Sequence, residues 1–93
     1  MPSFALMCFD KLGALPIRVA NREAHLDYLK RTNLHRYGGP LLDESGEACG
    51  SLIVIEADDL GDAQAFAALD PYARAGLFER VEIRGLRAIL DKL

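Results

Sequence analysis

An α+β fold, with two helices packed on one face of a four-stranded antiparallel sheet, is what this 93-residue sequence predicts, on three observations. Its apolar segments come in the order strand, helix, strand, strand, helix, strand. The first and third strands are apolar on both alternating faces, whereas the second and fourth carry glycine, proline or charge, as sheet edges do. The length accommodates a single domain, spanning 1–93.

The elements follow in order. Ser3 to Phe9 is a short, apolar, fully buried strand, ended by Asp10 and by the loop-like run from Lys11 to Pro16. A helix is predicted from Asn21, a good N-cap with Glu23 in the first turn, to about Thr32 before Asn33. At about 100° per residue, Tyr28, His25, Arg22, Leu29 and Leu26 share the inward stripe, and Glu23, Asp27, Lys30 and Arg31 lie opposite. Leu34 to Leu42 reads as a second strand weakened by Gly38, Gly39 and Pro40, and the polar turn Asp43 to Glu47 leads into the return strand Gly50 to Ala57. A second helix starts behind Asp59 as N-cap, with Asp62 favourably placed at the positive end of the dipole, and stops where Pro71 restricts Asp70. Ala63, Phe66, Ala67 and Asp70 follow the i, i+3, i+4, i+7 rule, so a carboxylate closes this apolar stripe. Pro71 to Gly76 reads as one or two further helical turns with a glycine stop. Phe78 to Arg84 alternates, with Glu79, Val81 and Ile83 on one face and Phe78, Arg80, Glu82 and Arg84 on the other.

The order βαββαβ is that of the ferredoxin-like sandwich, whose spatial strand order 4-1-3-2 makes the first and third strands central. One end of such a sandwich gathers Asp10, Arg22, His25, Gly50, Ser51 and Asp70. Helices cover only one sheet face, so the apolar residues on the other face predict a homodimer formed through it.

Eleven basic and 14 acidic side chains give a net charge of −3, which argues against a nucleic-acid or anionic-membrane partner. The start has no signal-peptide pattern and no apolar run approaches the ~20 residues of a membrane span, so a soluble, cytoplasmic protein is expected. Cys8 and Cys49 stand far apart and read as two free, mostly buried thiols. His35 falls on a different element from His25, and neither metal-ligand spacing nor a phosphate-cradling glycine motif is present, so no metal and no cofactor are expected.

Arg18, the run Arg22-x-x-His25-Leu26, Gly39-Pro40-Leu41, Gly50-Ser51-Leu52, and Asp70-Pro71-Tyr72-x-x-Ala75-Gly76-Leu77-Phe78 together resemble the YciI (YCII-related) family over nearly the whole chain. That resemblance implies a dimeric α/β barrel of ferredoxin-like subunits, related in fold to muconolactone isomerase, with a His–Asp pair as active site. By position these are His25 and Asp70, with Gly39, Pro40 and Tyr72 as substrate-binding residues from the shared motifs. The family includes a dehydrochlorinase of chlorinated hydroxyhydroquinone, while most of its members have no assigned reaction.

In chemical terms, an Asp accepting one imidazole N–H fixes the tautomer and leaves the other nitrogen to act as general base or acid. Each residue also has a plainer role: a histidine on an apolar helix face serves as core, and an Asp before Pro caps the next helical turn. Ser51 lacks the G-x-S-x-G elbow of a nucleophile and reads as a polar group lining the pocket. Arg18 and Arg22 suit an anionic or phenolate oxygen, with solvation at the surface as the alternative. The expectation is an enzyme of isomerase or lyase type, dehydrochlorinase-like, acting on a small cyclic or aromatic-derived substrate. The competing expectation is a non-catalytic dimer that binds a small molecule or a protein, with a structural His–Asp pair.

Overall fold

The computed structural model describes residues 1–90. Its elements are β1 (Ser3–Asp10), α1 (Leu15–Thr32), β2 (His35–Leu42), β3 (Ala48–Glu56), α2 (Leu60–Leu69), α3 (Pro71–Arg74) and β4 (Phe78–Leu86). All pairings are antiparallel in the order β2-β3-β1-β4, which is the expected 4-1-3-2 read from the other side.

Register assigns the two faces of the sheet. Phe4, Leu6 and Cys8 of β1 stand beside Ile55, Ile53 and Ser51 of β3, and all six are buried beneath the helices. Tyr28 of α1 and Ala63 and Phe66 of α2 close this core from above; the Tyr28 and Phe66 rings stack at 5.1 Å, and the Tyr28 hydroxyl donates to the Phe66 carbonyl at 2.8 Å. The other face carries Ala5, Met7, Leu52 and Val54, all half-buried in the single chain, with Arg80, Glu82 and Arg84 of β4 alongside. Along β4, Val81 and Ile83 stand on the helix side as the sequence predicts, but Phe78 does not share the face of Arg80, Glu82 and Arg84: the register shifts between Phe9 and Asp10, and Phe78, opposite Asp10, packs against the helix-side core and edge-on to Tyr72.

Helix α1 departs from expectation. It begins at Leu15, six residues before Asn21, because Gly13 at φ 71° turns the chain and Pro16 stands in the first helical turn, where its missing N–H costs nothing. Asn21 is therefore an interior residue, not an N-cap, and its Nδ2 donates to the Ile17 carbonyl at 2.9 Å. The buried positions of α1 are Arg18, His25 and Tyr28, while Arg22 and Leu26, placed on the inward stripe by angle, are exposed residues at its margin. The other end matches the reading: Asn33, in left-handed conformation at φ 53°, caps the helix by donating its N–H to Leu29.

Asp59 caps α2 by accepting from the Asp62 N–H at 2.8 Å, and the Asp43 carboxylate organises the β2–β3 turn through the N–H groups of Ser45 and Glu47. Cys8 is buried, but Cys49 is exposed: it sits near the start of β3, at the register shift beside the β2–β3 turn and away from the core, which corrects the expectation of two buried thiols. Among the described residues no helix is long and apolar enough to cross a membrane.

Candidate active site

Asp70 closes α2 and opens α3, with φ −60° and ψ 130°. Pro71 enforces that extended geometry and ends α2 there, which leaves the Asp70 carboxylate to accept the Tyr72 N–H at 2.9 Å. The cap anchors the carboxylate against movement, 3% exposed, and seats it under α1. His25, 7% exposed and two helical turns after Arg18, places Nδ1 2.9 Å from Asp70 Oδ1 and 3.0 Å from Oδ2. A carboxylate can only accept, so in the neutral imidazole that faces one, Nδ1 carries the proton and Nε2 the lone pair. The Tyr72 ring stacks on the imidazole at 4.1 Å with 16° between planes, so hydrogen bond and stack together fix the ring's orientation.

A second buried group lies beside this one. Arg18 grips Asp10 with both arms of its fork, Nε to Oδ2 at 2.7 Å and Nη2 to Oδ1 at 2.9 Å, and Nη2 also donates to Ser51 Oγ at 3.0 Å. Its guanidinium carbon stands 4.7 Å from the centre of the Tyr72 ring. Burial works against the Arg18 charge, but the Asp10 hydrogen bonds and charge outweigh it and raise Arg18 above its ordinary value. Burial likewise raises the Tyr72 phenol, opposed by the charges of Arg18 and Arg22.

Both groups border a cavity of about 390 Å³ between α1 and the β2–β3 half of the sheet, a volume suited to one small molecule. Leu15, Val19, Leu26, Leu29 and Ile53 supply its apolar walls. Every binding residue expected from the sequence, Arg18, Arg22, Gly39, Pro40, Ser51 and Tyr72, lines it together with His25, and Asp70 stands behind His25. Among the described residues no buried side-chain nitrogen or oxygen is left without a partner. His25 Nε2 has no protein partner, so it must be open, and the space beside it is the cavity. Arg18, by contrast, has its fork closed by Asp10, which leaves exposed Arg22 as the arginine whose charge faces the cavity unneutralised among the described residues. Ser51 bonds to Arg18 rather than to His25, so no Ser–His–Asp chain forms.

Sequence reasoning missed His35, Tyr37 and Glu47 at the cavity wall. Spacing along β2 gave no sign of the first two, because the register shift between His35 and Tyr37 breaks the two-residue alternation of the strand. No cluster of three or more metal-ligating side chains occurs among the described residues.

Comparison with known proteins bears on the fold and the family. YciI of Escherichia coli O6:H1 and of Shigella flexneri are each 32% identical to the chain over 97 aligned positions, covering 92% of this chain and 97% of theirs. The solved structure of 5-chloro-2-hydroxyhydroquinone dehydrochlorinase from Burkholderia phenoliruptrix, in complex with 2,5-dihydroxybenzoquinone, superposes with a TM-score of 0.83 at 28% identity, covering 91% of this chain and 93% of that one. A NIPSNAP-domain protein from Burkholderia xenovorans shares the fold alone, with a TM-score of 0.54 at 18% identity over 95% of this chain and 94% of that one. The YCII-related domain model matches residues 3–87, and with nearly the full length of the chain accounted for, the protein belongs to the YCII-related family.

Proposed function

We propose that the chain is a small cytoplasmic enzyme of isomerase or lyase type, a homodimer through its uncovered sheet face, in which His25 and Asp70 transfer protons on a small cyclic or aromatic-derived substrate. One observation carries this reading: an imidazole oriented by a buried carboxylate on one nitrogen presents the other, unpartnered, to an apolar cavity. In the reaction, Nε2 takes a proton from a carbon next to a substrate carbonyl. The C–H electron pair becomes a C=C bond, and the carbonyl π pair moves onto oxygen. Asp70 balances the imidazolium so formed. Return of the proton to a different carbon completes an isomerisation. Departure of a halide from the adjacent carbon with its bonding pair, as the oxygen's pair returns, completes an elimination, and the imidazolium proton passes to water. Arg22 at the margin suits an anionic oxygen of the same substrate. The dehydrochlorinase relative, crystallised with a planar quinone bearing acidic hydroxyls, supports a substrate of that kind.

A non-catalytic binding dimer is the second reading, favoured by the Asp70 cap on α3, which gives the carboxylate a structural role of its own. The test is chloride release from 5-chloro-2-hydroxyhydroquinone, with binding of 2,5-dihydroxybenzoquinone measured alongside. Catalysis predicts turnover by the wild type, and its loss in folded His25→Ala and Asp70→Asn proteins that still bind the quinone. A wild type that binds the quinone without turnover, and whose variants lose only melting temperature, returns the pair to a structural role.

A further inference from the structure

The chain Asp10, Arg18, Ser51 is more elaborate than a core requires, and the proton-transfer reading does not use it. Arginine has donors only, so when Arg18 Nη2 approaches Ser51 Oγ at 3.0 Å the hydroxyl must accept. That fixes one lone pair of Ser51 toward Arg18 and turns its single O–H elsewhere. Among the described residues no acceptor takes this proton, and Ser51 lines the cavity. Ser51 is 3% exposed and sits on central strand β3, with Leu6 and Cys8 on the neighbouring strand, so its position is rigid. Arg18 cannot swing away, because Asp10 holds it through two hydrogen bonds from the end of β1.

From this geometry, and resting on the proton-transfer reading above, we infer that Ser51 is the donor to the substrate oxygen on which negative charge develops, and that Arg18, locked by Asp10, is the positioning residue that keeps the hydroxyl pointed into the cavity. The arrangement has a physical logic. A bare arginine in the same place would bind any anion in the ground state. A neutral hydroxyl backed by a neutralised ion pair instead offers one directed hydrogen bond, polarised by the guanidinium behind it and in place before charge forms. The ligand class is a small carbonyl, enol or phenol whose oxygen is stabilised as it becomes anionic. Division of labour follows: Arg22 contributes charge at the margin, Ser51 direction in the interior.

The probes are 4-nitrophenolate, at a pH where the phenol is fully ionised, and nitrobenzene, which has the same ring without the oxyanion. Neither undergoes proton transfer, so failure here leaves the His25–Asp70 reading standing, and loss of turnover in His25→Ala leaves this one standing. Wild-type protein should bind the phenolate more tightly than nitrobenzene. Ser51→Ala should weaken the phenolate by about tenfold and nitrobenzene hardly at all. Replacing the ion pair as a unit, Asp10→Leu with Arg18→Met, avoids an uncompensated buried charge. It should cost the phenolate a similar factor in the Ser51 background and nothing further when Ser51 is already alanine. A role in packing alone would move the melting temperature and both probes together. Equal affinity of wild type for the two probes, a folded Ser51→Ala protein that retains the whole wild-type phenolate preference, or additive losses in the combined variant would each overturn the assignment.

Discussion

Asp70 accepts from two donors at once, the His25 ring and the Tyr72 backbone, and that double duty makes its amide replacement informative. In Asp70→Asn the amide oxygen can keep the cap on α3 and, because Oδ1 also lies 2.9 Å from Nδ1, still accept from the ring, but the negative charge that balances an imidazolium is gone. If the pair transfers protons as proposed, turnover should fall by about two orders of magnitude or more in a protein that stays folded. Nitrogen-15 NMR of the wild type should show the neutral ring protonated on Nδ1; a neutral ring protonated on Nε2 would contradict the assigned hydrogen bond. The thiols offer a second residue-scale check. Burial, with the Asp70 charge adding to it, pushes the Cys8 thiol from 9.0 up to about 12, whereas Cys49 is exposed. A thiol reagent should therefore modify Cys49 in the native protein and reach Cys8 only on unfolding. The sign of the pH effect follows: the folded state holds a proton on Cys8 that the unfolded chain sheds above 9.0, so this contribution is complete below pH 9.0 and is lost as pH rises toward 12. Tyr28 and Tyr72, raised by burial, act in the same direction. Unfolding in denaturant across that window should show a shallower alkaline decline for Cys8→Ala than for the wild type.

At the scale of elements, the cavity depends on β2 lying close against β3 while α1 stands off from both. Gly38 permits the close approach: a Cβ there would run into the Leu52 carbonyl oxygen and press on the Ile53 Cα. Next to it, a Cβ on Gly39 would meet nothing within 4 Å. Gly38→Ala should thus cost about 1–3 kcal/mol and Gly39→Ala no more than about 0.5 kcal/mol, read from chemical denaturation. Equal costs would mean that the strands are not packed as described. The same glycines that made β2 look weak in the sequence are what let it form the cavity wall.

For the molecule as a whole, the sheet face away from the helices is the unresolved burial. Val54, opposite Ala5 at its centre, is half-buried in the single chain, and Met7 and Leu52 adjoin it. If a second copy covers this face, Val54→Asp places an unpaired carboxylate in the interface, and sedimentation should show the mass halve while helical circular dichroism persists. A wild-type protein that sediments as a monomer at micromolar concentration would remove the homodimer from the proposal.

Much of this was legible in the chain itself. Element order, the central place of the two doubly apolar strands, the Asp59 and Asn33 caps and the Asp70-Pro71 junction rest on local periodicity and backbone sterics, which neighbouring residues decide. The start of α1 was not legible, because Gly13 and Pro16 read as loop until tertiary packing buries Ala14 and Arg18 beneath them. Nor were the partners of Arg18: a basic residue with nothing acidic at helical spacing gives no sign that Asp10 and Ser51, on two different strands, will converge on it. Local residue pattern specifies which side chains can bear charge or protons and on which elements they ride. Which charges are cancelled, which nitrogen of His25 stays open and which arginine keeps its charge for the cavity come from packing, because those are set by distances across the sheet that local propensity does not encode.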